Sequence, residues 1–286
     1  MALDAATLAL VTAELNSRLL DARIDKIFEP TRDEVLLLLR SRTETFRLLL
    51  SARSGSARVC LTNESFENPT TPPGFCMLLR KHLTGGRLVG LHMEPGDRIV
   101  YFDFRCTNEM GDLVVNTMAA ELMGRYSNLV LVQNGKIIDA LKRVDFEDSE
   151  IRQLLPGLPY TLPPKPGKPD FLAVSGAQAV SMACRRDLPP ADALTKSIGG
   201  VGPVVMREIA WRAFGGETAL LANELDETQK NALAAAYDAL KEQHAAGGTP
   251  AAVRLPRADG TEKPTEFSFF VPQQYGSTAK ISTYTT

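Results

Sequence analysis

The sequence predicts an α+β protein: a β-sandwich-like first domain with flanking helices, an all-helical module, and a closing pair of strands. Three observations carry that expectation. Between residues 23 and 144, short strand-like runs follow one another with a single helical interruption. Residues 154–170, LLPGLPYTLPPKPGKPD, mark a shift to proline and glycine, as in a linker or a strap across a surface. Beyond them apolar residues recur at helical spacing until Gly247-Gly248, where strand-like alternation returns. The expected divisions are therefore 1–168, 169–247 and 248–286, with the last segment a β-hairpin rejoining the first domain. The helical module would then be an insertion.

Taken in order, residues 3–20 place Leu3, Leu8, Val11, Leu15 and Leu19 close to a 3.6-residue spacing, which predicts an amphipathic helix. Strands are expected in RIDKIFEP, EVLLLLRS, TFRLLLSA and RVCLTN. PPGFCMLLRKHLTGG reads as a helix, entered through Pro and Gly and stopped at Gly85-Gly86. Strand patterns resume in RLVGLHME, DRIVYFDFR, DLVVNTMAAELM, NLVLVQ and KIIDALKRV, and Asn134-Gly135 signals a type I′ hairpin between the last two. Helical runs then occupy FLAVSGAQAVSMACRR, PADALTKSI, VVMREIAWRAF and ETQKNALAAAYDALKEQHAAG. A final hairpin is expected around Asp259-Gly260.

Composition narrows the function classes. The chain has 286 residues, 44% hydrophobic and 23% charged, with a net charge of -2 and a pI near 6.0. No global basic signal points to nucleic acid, although a local basic face can sit on a neutral protein. Cys60, Cys76, Cys106 and Cys184 are widely spaced, without a CxxC pair, which argues against a zinc ribbon or a disulfide framework. Neither a signal peptide nor a membrane span is evident, so no membrane association is expected. The three histidines lack metal spacing, and no P-loop, GxSxG or GxGxxG appears, so neither an enzyme activity nor a cofactor is expected.

Four stretches could carry chemistry. EPGDRIVYFDF sets Asp97 and Arg98 at a strand mouth, where a guanidinium suits phosphate or base edges and the aspartate could orient it. The plainer reading is a surface salt bridge. GFCMLLRKHLTGGR gathers Arg80, Lys81, His82 and Arg87, either as phosphate contacts or as cations complementing a helix C-terminus. SIGGVGPVVMREIA has the helix-hairpin-helix pattern, in which Gly200 and Gly202 would let the turn approach a phosphate. An αα-corner that merely needs positive φ explains it equally well. In AAELMGRYSNLVLV, Leu129–Val132 alternate into a core strand, while Glu121, Met123, Gly124, Arg125, Tyr126 and Asn128 cluster before it. Arg125 and Tyr126 there could meet phosphates or stack on bases. A buried Glu–Arg pair bracing the sheet is the alternative.

Together and in order, GFCMLLRKHL, GDRI, ELMGRYSNLVLV, PGLPYTLPP and GVGPVVMREI resemble the NFACT-N region of the RqcH/NEMF family, bacterial members of which were often called fibronectin-binding proteins. The likeness covers essentially the whole chain. It implies a MutM/Fpg-like β-sandwich followed by a helix-hairpin-helix domain, and a chain that is the N-terminal part of a longer protein continuing into a coiled coil. It also implies a cytoplasmic factor in ribosome-associated quality control, one that binds tRNA and a large ribosomal subunit obstructed by peptidyl-tRNA. Such factors support untemplated alanine tailing of stalled chains, which suggests alanine tRNA as the partner. Carried over from the family, the tRNA-binding residues are Asp97, Arg98, Glu121, Leu122 and Met123, with Asp4, Arg125, Tyr126 and Asn128 completing the set. Where the glycosylases have catalytic proline and glutamate this chain has Ala2 and Leu3, so base excision is not expected. An extracellular adhesin that binds fibronectin is the competing reading.

Overall fold

The computed structural model describes residues 3–216, 218–257 and 261–285, so Ala2 and the Asp259-Gly260 turn lie outside the described residues. The chain forms two compact units, one made of Val11–Pro164 and the other of Leu3–Leu10 with the chain from Lys165 onward. Helix α1 (Ala5–Leu19) contributes to both.

The first unit is built on a nine-stranded antiparallel sheet. Its strands are β1 (Arg23–Thr31), β2 (Glu34–Arg40), β3 (Thr45–Ser51), β4 (Arg58–Leu61), β5 (Arg87–Met93), β6 (Ile99–Thr107), β7 (Leu113–Glu121), β8 (Asn128–Gln133) and β9 (Lys136–Ala140). They run in the order β4-β3-β2-β1-β5-β6-β7-β8-β9. The two halves meet at β1 and β5 through one register pair, Arg23 with Arg87. Beyond that pair the strands part, and α2 (Gly74–Leu83) fills the gap: Cys76 Sγ and Arg80 Nε donate to the Ile27 carbonyl at 3.7 and 2.9 Å. Lys142, just past β9, reaches Asp33 in the β1–β2 turn and the Ala52 carbonyl after β3, both at 2.8 Å. In a flat sheet those strands would be more than ~20 Å apart, so the sheet folds back on itself in the expected sandwich-like manner. Strand β2 is accordingly buried on both faces, through Leu37 and Leu39 on one and Leu36 on the other.

Local chemistry places several elements where the pattern put them. Asn134 and Gly135 both adopt positive φ in the β8–β9 hairpin. The proline-rich stretch is a strap: Leu154 pairs with Val144, Gly157 N donates to Ile137 O at 2.8 Å, and Tyr160 N donates to Gly135 O at 2.8 Å. It covers the outer edge of β9, which would otherwise present unpaired backbone groups.

The second unit holds α3 (Gly176–Ala183), α4 (Pro190–Ser197), α5 (Pro203–Phe214) and α6 (Glu227–Ala245). Ser175 with Gln178 and Asp226 with Gln229 form capping boxes that start α3 and α6. The unit is not all-helical, because β10 (Ala251–Pro256), β11 (Glu262–Ser268) and β12 (Lys280–Thr283) form a separate sheet ordered β11-β10-β12. Residues 248–286 were expected to rejoin the first domain; among the described residues they pair only with one another and group with the helices. The reason is apolar. Phe269 and Phe270 are buried in the helical core with Leu194, Met206, Ile209, Leu233 and Tyr237.

Helices α3 and α6 approach so closely that position 176 tolerates no side chain. A Cβ there would overlap the Ala234 carbonyl oxygen and lie 2.8 Å from its carbon. Alanine normally stabilises a helix relative to glycine by roughly 0.5–1 kcal/mol. Here Gly176→Ala is expected to lower stability by about 1–3 kcal/mol through overpacking, a reversal of sign that thermal unfolding will show.

Candidate functional site

Two of the sequence-predicted clusters meet at one end of β6 and β7. Pro95 and Gly96 form a tight turn closed by Asp97 N donating to Glu94 O at 3.1 Å. Arg98 then leads into β6, its carbonyl accepting from Leu122 N at 2.8 Å, and Ile99 pairs with Glu121. The loop Met123–Ser127 therefore stands directly beside the Asp97–Arg98 turn.

The expected salt bridge between Asp97 and Arg98 does not form. Asp97 Oδ1 instead accepts from the Arg98 backbone N–H at 2.7 Å. The partly exposed Arg98 guanidinium has no ion-pair or hydrogen-bond partner among the described residues. In the neighbouring loop Gly124 has φ +60° and begins a 3₁₀ turn through Tyr126. Arg125 donates to the Tyr126 hydroxyl and lies 4.6 Å from its ring centroid. Tyr126 is 68% exposed. Two guanidiniums without a carboxylate partner and one solvent-facing phenol thus share this strand end.

The other residues of that segment point inward. Glu121, Leu122 and Asn128 are buried at 1%, 2% and 2% exposure, so their side chains contact no solvent-borne partner. As expected tRNA contacts they are corrected to framework residues. Asn128 closes the strand end: its Nδ2 donates to Lys142 O at 2.6 Å, while its Oδ1 accepts from Leu129 N and Lys142 N at 2.9 and 3.0 Å. Met123 is partly exposed at the turn entrance.

Glu121 is the centre of a buried network. Arg152 grips its carboxylate in bidentate fashion, NH1 to Oε2 at 2.9 Å and NH2 to Oε1 at 2.6 Å, and the Tyr160 hydroxyl donates to Oε1 at 2.8 Å. Arg152 also lies 5.3 Å from the Tyr160 ring centroid. Burial opposes the Arg152 charge, but the hydrogen bonds and charge of Glu121 outweigh it and raise its pKa. Burial first, and the Glu121 charge second, push the Tyr160 phenol upward, so it stays protonated and donating. The buried Glu–Arg brace thus exists, with Arg152 rather than Arg125 as partner. Arg152 lies 31 residues downstream in an irregular strap, and neither periodicity nor spacing marks it.

The remaining predicted residues are scattered. Asp4 caps α1 by accepting from Thr7 N at 2.8 Å, and its other oxygen accepts from Gly202 N at 3.0 Å. Gly200 has φ +83°, a Cβ there would overlap the Asp170 carboxylate, and its carbonyl accepts from Ala6 N at 3.0 Å. The Gly200–Gly202 turn is therefore held by the chain's own groups, and the Gly202 N–H expected at a phosphate is already used. Arg80 is spent on Ile27 O and lies 5.9 Å from the Phe28 ring centroid, and Lys81 pairs with Glu109 at 3.0 Å. Arg87 is exposed, with NH1 donating to Asp21 O at 3.0 Å.

Among the described residues no group of three or more His, Cys, Asp or Glu is arranged to hold a metal ion, and no helix is long and apolar enough to cross a membrane. A concavity of about 380 Å³ in the second unit is lined in part by Arg207, Trp211 and Tyr275. Arg207 is already held there by Glu266, Gln274 and Tyr275.

The chain is 35% identical over 234 residues to the Rqc2 homolog RqcH of Bacillus subtilis (strain 168), covering 81% of this chain and 40% of that protein. It is 30% identical over 140 residues to the human ribosome quality control complex subunit NEMF, covering 49% of this chain and 12% of that protein. This chain thus spans well under half the length of the curated relatives it matches. Among solved structures, the fibrinogen binding protein from Staphylococcus aureus superimposes with a TM-score of 0.80 at 26% identity, over 100% of this chain and 96% of that one. The N-terminal part of the fibronectin/fibrinogen-binding protein from Streptococcus suis gives 0.72 at 31% identity, over 93% and 91%. With its family model matching residues 4–286, this chain belongs to the family described as NFACT N-terminal and middle domains.

Proposed function

We propose that this chain is the RNA-binding N-terminal part of a ribosome quality-control factor, and that it engages tRNA through the strand end formed by Arg98, Arg125 and Tyr126. The single observation that carries the site is the pair of unneutralised guanidiniums beside an exposed tyrosine. Cations of this kind bind phosphates, and an aromatic face accepts a stacked base. The names of the matched relatives support the ribosomal setting. In this reading the factor is cytoplasmic, needs no cofactor and performs no covalent chemistry. It binds a large subunit obstructed by peptidyl-tRNA and positions charged alanine tRNA, so that the ribosome itself extends the stalled chain with alanine.

Arg98→Ala combined with Arg125→Ala is expected to weaken tRNA binding at least tenfold, as two charge-assisted contacts are lost. Tyr126→Ala alone is expected to cost 1–3 kcal/mol per base stacked, or about 5- to 150-fold. Filter binding with deacylated tRNA, on variants whose circular dichroism matches the parent, reads both. Unchanged affinity in the folded double variant would remove the site assignment.

A second reading, a fibronectin-binding adhesin, is favoured by the likeness to the fibronectin/fibrinogen-binding protein from Streptococcus suis. Immobilised fibronectin separates the two. An adhesin would bind fibronectin at physiological salt and leave tRNA unbound.

A further inference from the structure

The register of the sheet assembles a feature that neither the family likeness nor the strand-end site accounts for. Arg40 on β2 pairs with Arg23 on β1. Arg23 pairs with Arg87 on β5, and Arg87 with Arg105 on β6. Residues directly opposite across antiparallel strands project from the same face, so four arginines stand in one row across four adjacent strands. All four are exposed. At a strand spacing of about 4.8 Å the row is roughly 14 Å long. It ends in neutral neighbours, Thr45 opposite Arg40 and Val115 opposite Arg105.

Like charges directly opposite in a sheet are destabilising. Several other cations of this unit are neutralised: Arg53 with Glu34, Lys81 with Glu109, Lys142 with Asp33, Arg143 with Asp139 and Arg152 with Glu121. The row receives no such treatment. Asp21 and Asp25 flank Arg23 in the chain, yet among the described residues no ion pair reaches any of the four, and the one side-chain hydrogen bond they make there goes to a backbone carbonyl, Asp21 O. A repulsive row kept uncompensated on a rigid sheet is matched by a ligand that carries its own line of negative charges.

We propose that Arg40, Arg23, Arg87 and Arg105 form a binding surface for the phosphodiester backbone of an RNA. The proposal rests on the RNA-binding reading above and adds a second contact to it. Arg105 lies seven residues along the chain from Arg98, about 24 Å at the rise of an antiparallel strand. The row is therefore a contact separate from the strand end. Guanidiniums donate in a planar fork that matches phosphate oxygens. Phosphate contacts of this kind contribute affinity and register rather than sequence preference.

The test compares the parent chain with Arg23→Gln/Arg87→Gln and with the quadruple variant that adds Arg40→Gln and Arg105→Gln. The probe is deacylated bulk tRNA, titrated between 50 and 200 mM KCl. Each lost phosphate contact is expected to reduce the slope of log affinity against log salt by about 0.7–0.9. The double variant should therefore lose about 1.5 and the quadruple variant about 3. Thermal midpoints should stay level or rise, because repulsion is relieved; a marked fall would make the row structural and overturn the proposal. Vesicles of phosphatidylserine with phosphatidylcholine and poly-glutamate are run in parallel. Equal dependence of either on the row would overturn RNA as the occupant. A parent that binds tRNA, loses it on Arg98→Ala/Arg125→Ala and keeps its slope in the row variants overturns only the row. A parent that binds no RNA at any salt overturns both readings.

Discussion

Glu121→Ala is expected to cost about 3–5 kcal/mol of folding stability, because it strands the Arg152 guanidinium in the sheet unit without its carboxylate. The structure supplies the reason for so large an effect. The carboxylate is 1% exposed, receives both Arg152 nitrogens at 2.9 and 2.6 Å, and takes a third hydrogen bond from Tyr160. Replacing both partners by apolar residues, as in Glu121→Leu/Arg152→Met, is expected to recover much of the loss, since a buried ion pair contributes little net stability over well-packed hydrophobics. Urea unfolding followed by far-ultraviolet circular dichroism measures the cycle. A loss below 1 kcal/mol in the single variant would show that the brace is solvated. Under conditions where Glu121→Ala is folded, its tRNA salt slope should equal that of the parent, because the carboxylate meets no phosphate.

A second large effect is expected at Glu208 on α5, whose carboxylate is fully buried. It accepts from Gln273 N at 3.0 and 2.9 Å, from Gln274 N at 3.1 Å and from Arg212 Nε at 2.7 Å. Glu208→Ala leaves two backbone donors without their acceptor and the Arg212 guanidinium without its carboxylate, and should likewise destabilise by about 3–5 kcal/mol. Trp211 lies on the same helix and is the only tryptophan, so its fluorescence follows unfolding of this unit directly. Glu208→Gln keeps the acceptor for one backbone N–H and should fall between parent and alanine variant. Equal stability of all three would mean that the segment after Phe270 is held by other contacts.

These two carboxylates show where local pattern stops. The helix at 3–20 and its observed span Ala5–Leu19, the α2 stop before Gly85-Gly86, and the Asn134-Gly135 hairpin all follow from interactions within a few residues. Periodicity and turn chemistry are local, so they are written locally. Glu121 was visible as an oddly polar residue before a core strand, but its partner lies 31 residues away in a strap with no repeating pattern. Glu208 sat unnoticed within a helical run, because helical spacing says nothing of a loop 65 residues further on. At the strand end the sequence named Arg98, Arg125 and Tyr126 together with Glu121, Leu122 and Asn128. Only burial separates the first three, which face solvent, from the last three, which hold the frame.

By itself, the sequence determined the α+β class, most of the element order, the family, and the short list from which the site is drawn. Tertiary structure alone decided the rest. It set Phe269 and Phe270 in the helical core, so the last strands stay with the helices. It paired Glu121 with Arg152, and it brought Arg40, Arg23, Arg87 and Arg105 into one row. The physical reason is common to all three. Strand register and long-range burial are fixed by how the whole apolar surface closes, and no residue's immediate neighbours carry that information.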